Sequence, residues 1–191
     1  MSIKKKKLNA LTLMELMVAL GISTLIIATL LLFFMTTRVS LARIEALIHA
    51  EEQARMALSR IGNELHLSNP YKVDIPPYST SSLSGDAIRF QIPVGAYATD
   101  INLTSSQAIE WGSNAVAGNY LTYSLNGDKA LIRAETDGSS IISSSILAQD
   151  VKALIFKREN SSSNQIIFQI DVQDTTLNLT RTIKSSVKLR N

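Results

Sequence analysis

The sequence contains no cysteine, which excludes a disulfide framework and any cysteine-ligated metal site, so stability has to come from packing. Histidine is scarce. His49 and His66 lie 17 residues apart on a segment that reads as helix, too far to meet within one chain. Neither a Gly-rich phosphate loop, a His-x-x-x-His pair nor a nucleophile with a matching base is present, so the sequence offers no catalytic centre and no cofactor or metal site. Proline is absent before Pro70, and charge is absent from Leu16 to Met35. The first absence leaves a helix free to run uninterrupted. The second gives 20 uncharged residues, about 30 Å of helix, which matches the hydrocarbon thickness of a bilayer.

What is present is arranged unevenly. Four of the 19 Lys and Arg residues stand together at Lys4–Lys7, and the remaining 15 face 16 acidic side chains. The calculated pI of 9.2 therefore describes the N-terminus more than the rest of the chain. Lysines in front of an apolar span hold that end in the cytoplasm and send the remainder across. Beyond them the basic residues are scattered, without the aromatic interleaving of a nucleic-acid surface, so no nucleic-acid partner is expected. Within the apolar stretch Leu11–Met35 stands one carboxylate, Glu15. A charge there is costly unless it has a partner or a purpose.

Lys4-Lys5-Lys6-Lys7-Leu8-Asn9-Ala10, followed by Leu11-Thr12-Leu13-Met14-Glu15-Leu16-Met17-Val18-Ala19-Leu20, resembles the cleavage region of type IV prepilins and type II secretion pseudopilins. The resemblance implies a membrane prepilin peptidase that cuts between Ala10 and Leu11 and methylates the new amine of Leu11. The family usually has glycine and phenylalanine at these two places. Glu15 is then the fifth residue of the mature chain, the family's glutamate. An opposite charge offsets the burial of a carboxylate, and the new amine would lie one helical turn away in the same chain or within reach on a neighbouring subunit. In the family that pairing sets the axial register of subunits entering a filament, and the tip subunit commonly lacks the glutamate. Two plainer readings fit less well. A secretory signal has a shorter apolar core and an A-x-A-like site, and an uncleaved anchor leaves the position of Glu15 unexplained.

Downstream of Met35 the apolar residues change from an all-round distribution to a stripe: Leu47, Ala50, Ala54, Leu58, Ile61 and Leu65 recur every three or four residues. A continuous helix over 11–68 is predicted, ended by Asn69-Pro70. Its first part offers Leu16, Leu20, Ile26, Leu30, Phe33 and Phe34 to the membrane or to other such helices, with Gly21, Ser23, Thr24 and Thr29 permitting close approach. Residues 71–85 read as loop. Strands are predicted at Ala87–Val94, Asn119–Leu125, Lys129–Glu135, Val151–Arg158, Gln165–Val172 and Leu177–Leu189, forming an antiparallel sheet. Asn126-Gly127 marks the clearest hairpin, through positive φ angles, and a second is expected around Glu159–Asn164. The division is thus a leader 1–10, a membrane helix 11–35, an amphipathic continuation 36–68 and a β-rich head 71–191. The fold class is α+β, pilin-like by resemblance.

Asp128, Glu135, Asp137 and Asp150 lack calcium-loop spacing and read as solvated turn carboxylates. Asn102-Leu103-Thr104 and Asn178-Leu179-Thr180 match a glycosylation pattern that arises often by chance. Gln53–Leu58 with Ile61 and Leu65, Tyr120–Tyr123, Leu131–Arg133, Val151–Phe156 and Val187–Asn191 are similar to the W-type minor pilins and J-type minor pseudopilins. The resemblance implies a structural subunit of the bacterial inner membrane, N-terminus inside and head outside. Its partners would be the prepilin peptidase, other minor and major pilin or pseudopilin subunits and the inner-membrane assembly platform. The alternative is a membrane-tethered β-sheet binding module outside any filament.

Overall fold

The computed structural model describes residues 12–76, 83–97, 101–104, 106, 108–160, 163–174 and 179–190. Ala10, Leu11, the lysine leader and Asn178 lie outside them. The chain is α+β: one long N-terminal helix, α1 (Leu13–His66), followed by antiparallel strands. It divides into two compact units with the boundary between Ile44 and Glu45.

In the first unit the helix is apolar on all sides as far as Met35, and the large apolar side chains from Leu13 to Met35 are all at least half exposed. By length and composition this helix can cross a membrane, its most apolar 18-residue window having a mean hydropathy of 2.6. Serine and threonine inside it turn their hydroxyls back onto the helix. Ser23 donates to the Ala19 carbonyl at 2.7 Å, Thr24 to Leu20 at 2.9 Å and Thr29 to Ile26 at 2.8 Å. Each donor is satisfied locally, within the helix itself.

In the second unit the helix buries a stripe of Ala54, Ala57, Leu58, Ile61 and Leu65. The helix stops at His66, two residues before the predicted end. Its last turn tightens through Leu67 N–H to the Glu64 carbonyl at 3.2 Å and Ser68 N–H to Leu65 at 3.0 Å. Asn69 does more than end it: its side chain accepts the Tyr71 N–H at 2.8 Å and caps a 3-10 turn, Pro70–Lys72.

The strands are β1 (Val73–Asp74), β2 (Ser84–Gly85), β3 (Ile88–Phe90), β4 (Ile92–Pro93), β5 (Trp111–Gly112), β6 (Tyr120–Leu125), β7 (Leu131–Thr136), β8 (Ile141–Ala148), β9 (Val151–Arg158), β10 (Gln165–Asp174) and β11 (Leu179–Lys188). They form not one sheet but three, ordered β1-β3-β6-β7-β8, β11-β10-β9-β2 and β4-β5. The predicted strand over 87–94 is accordingly divided between two sheets at Gln91, whose side chain donates to the Gly118 carbonyl at 3.1 Å. Strand β8 falls in a serine-rich segment for which no strand was expected, and β1 and β2 fall within the expected loop. Alternation fixes the faces. Leu121 and Tyr123 of β6, and Ile166, Phe168, Ile170 and Val172 of β10, point inward at every second residue. They share one core with the helix stripe, and Phe90 stacks on Tyr123 with ring centroids 6.0 Å apart.

The β6–β7 hairpin has a different loop from the one the Asn-Gly pair predicts. The positive φ belongs to Lys129, at 58°, not to Gly127. Asn126 organises the loop by itself: its carbonyl accepts the Lys129 N–H at 3.1 Å, and its side-chain oxygen accepts the N–H groups of Asp128 and Ala130 at 3.1 and 2.8 Å. The second hairpin, between β9 and β10, lies where expected, with Arg158 opposite Ile166.

Candidate functional site

Two polar constellations stand out, one in each unit. The first is at the described start of α1. Thr12 donates its N–H to the Glu15 carboxylate at 2.9 Å and its hydroxyl to the same oxygen at 3.1 Å, while the Glu15 N–H reaches the Thr12 hydroxyl at 3.3 Å. This reciprocal pattern is a capping box, in which residues three apart satisfy each other's free donors at a helix N-terminus. Glu15 thus has a local partner already. Around it, Met14, Val18, Ala19 and Ile22 line a shallow apolar depression with Thr12.

The residues expected to meet the membrane, Leu16, Leu20, Ile26, Leu30, Phe33 and Phe34, are between 51% and 70% exposed, and no described residue of the first unit covers them. A Cβ added at Gly21 would meet no atom within 4 Å, so nothing among the described residues requires a small residue there. Just past the uncharged run, the Arg38 guanidinium lies over the Phe34 ring, 4.9 Å from its centroid. A cation on an aromatic face with its stem along apolar surface is the arrangement expected where a span meets water.

The second constellation was not foreseen. Glu64 is 3% exposed, on the buried stripe beside Leu65. Its carboxylate accepts the Tyr123 hydroxyl at 2.7 Å, the Arg133 Nε at 3.0 and 3.1 Å, and the Arg60 Nε at 3.3 Å. A buried carboxylate is tolerated when its lone pairs are filled in this way. Burial, reinforced by the Glu64 charge, pushes the Tyr123 phenol up, so it remains a donor. Burial pulls Arg133 down, but its hydrogen bond and charge interaction with Glu64 outweigh that and leave it raised. The sequence did carry a signal: Glu64 lies three residues after Ile61, inside the apolar spacing.

Beside this cluster Met56, Ser59, Asn63 and Tyr97 complete an open groove of about 440 Å³. Partial burial of its ring and the nearby Glu64 charge push the Tyr97 phenol up to about 12, so it too is a neutral donor.

The remaining sequence candidates are dispersed. His49 is on the exposed helix surface, with its Nδ1 3.8 Å from Glu52, and the His66 Nδ1 lies 2.8 Å from the Lys188 carbonyl. Glu135 is no solvated turn carboxylate: it stands in β7 and accepts the Ser113 hydroxyl at 2.5 Å and the Asn119 amide at 2.9 Å, which hold its carboxyl below the ordinary range. Asp137 caps its own turn, accepting N–H groups from Ser139 and Ser140. Among the described residues no group of three or more His, Asp or Glu could hold a metal ion. Compared with known proteins, the chain matches no family model, and neither curated proteins nor solved structures yield a significant match.

Proposed function

We propose that the chain is a minor pilin or minor pseudopilin, a non-enzymatic structural subunit of the bacterial cytoplasmic membrane that helps to initiate or cap a type IV pilus or type II secretion pseudopilus. The observation that carries this reading is the division of labour along α1. One stretch buries a stripe in its own β-rich unit, and the other exposes apolar side chains on every side behind a single carboxylate, Glu15. An all-round apolar helix finds its environment in lipid or among other such helices. Prepilin peptidase would remove Met1–Ala10 and methylate Leu11. The new amine would then compete with Thr12 for Glu15, in the same chain or a neighbour, and the exposed surface from Leu16 to Phe34 would contact other subunits and the assembly platform.

The test is the intact mass of membrane-extracted protein made with and without the matching peptidase. Peptidase-dependent loss of Met1–Ala10 is the expected result, and Glu15→Ala should then block assembly while leaving the β-rich unit folded. The capping box favours a second reading, because it gives Glu15 a purpose in any membrane anchor. In that reading the chain is a tethered β-sheet binding module, and it would become the account if the leader were kept under both conditions.

A further inference from the structure

We infer that the groove beside Glu64 is a docking site for an acidic side chain of a partner polypeptide, held by Arg60 and Arg133 and flanked by Met56 and Tyr97. The charge count comes first. Among the groups that line the groove two guanidiniums converge on one carboxylate, while Glu135 interacts with Arg133 from outside the lining, so the groove itself presents one positive charge in excess. Both arginines reach Glu64 through Nε, Arg133 has a further interaction with the Tyr123 hydroxyl, and among the described residues Nη1 and Nη2 of Arg60 have no acceptor. A guanidinium carries five N–H donors in a planar fork, and the free edge matches a carboxylate with two parallel bonds. Arg133 is only 16% exposed, so the fork is held in place by its surroundings and loses little freedom on binding.

The rim determines which acid fits. Met56 is 65% exposed and Tyr97 55% exposed, at the edge of the same groove. Tyrosine, methionine and arginine are the residues enriched at protein interfaces, where an aromatic or flexible apolar anchor surrounds a desolvated charge. Asn63 and Ser59 add polar partners for a peptide backbone. A small inorganic anion would use the arginines but leave the apolar rim uncovered. The occupant that uses both is an Asp or Glu next to an apolar residue. Because the groove lies within the second unit, this inference stands or falls apart from leader cleavage and filament assembly.

The experiment uses the full chain in detergent, with the arginine Nε–H signals and the Tyr97 ring followed by NMR. The probes are capped acetyl-Leu-Glu-Leu-amide, its Gln counterpart and inorganic phosphate. Short-peptide affinity is expected near the millimolar range. The Glu peptide should shift the Arg60, Arg133 and Tyr97 signals saturably, with binding at least about tenfold weaker for the Gln peptide, a difference of about 1.4 kcal/mol. Arg60→Gln, at a half-exposed position and with Tyr123 and Arg133 still holding Glu64, should weaken Glu-peptide binding to a similar degree, and Tyr97→Ala should weaken both peptides. Equal binding of the Glu and Gln peptides would overturn the inference. So would no saturable shift, or displacement of the peptide by phosphate at equal concentration.

Discussion

Residues 13–44 and 45–66 belong to the same helix, yet they meet opposite fates. In the earlier stretch no large apolar side chain between Leu13 and Met35 is less than half exposed, whereas in the later one Ala54, Ala57, Leu58, Ile61 and Leu65 are at most 4% exposed. Helix propensity cannot tell these stretches apart, since both are helical throughout. The difference lies in how apolar groups are distributed around the axis. A stripe has one face to bury and a domain can cover it, but an apolar surface on all sides needs an apolar surrounding. Their charges differ accordingly: Glu15 is held by its own first turn, while Glu64 is held by Arg60 one turn away and also by groups 59 and 69 residues away.

That contrast can be broken most severely at Glu64. Glu64→Ala leaves Arg133 buried without its carboxylate and should lower the stability of the second unit by about 3–5 kcal/mol in urea unfolding. A loss below about 1 kcal/mol would class the pair with surface bridges instead. Next comes a matched pair of truncations. Leu58→Ala should cost about 2–5 kcal/mol in the same measurement, while Leu30→Ala should leave it within about 0.5 kcal/mol. Equal effects would mean that the two stretches are not independent. A smaller effect belongs to the β6–β7 loop, where Asn126→Ala removes the acceptor of two N–H groups and should cost about 1 kcal/mol. The smallest is a change in pH dependence. Ser113 and Asn119 hold the Glu135 carboxyl below its ordinary range, so its contribution is present above that range and fades as pH falls through the folded-state value. Thermal unfolding of Glu135→Gln should therefore show lower stability at neutral pH and a shallower decline on acidification.

Those effects also separate what could be read along the chain from what could not. The stripe from Ala54 to Leu65 was legible because helical periodicity is local, and β6, β7, β9 and β10 were legible because alternation is local too. β8 was not, because Ser143-Ser144-Ser145 has little strand propensity and gains its place by pairing with β7. The Asn-Gly signal located the hairpin but gave the wrong residue for positive φ, since Asn126 hydrogen bonds define a longer loop in which Lys129 takes the left-handed conformation. Glu64 escaped because a carboxylate at helical spacing reads as surface until its partners arrive from β6 and β7.

By itself the sequence determined the long helix, the all-round apolar character of its first stretch, the position of Glu15 behind four lysines and the α+β class. Each of these depends on hydropathy and spacing over a few turns, which neighbouring residues specify directly. Only the tertiary structure decided that the strands divide into three sheets, that Glu64 is buried beneath Tyr123 and Arg133, and that Arg60 and Arg133 converge on it beside a groove. Such outcomes depend on which distant segments come together, and the local pattern around Glu64 or Ser143 carries no record of the partner that β6 or β7 brings to it.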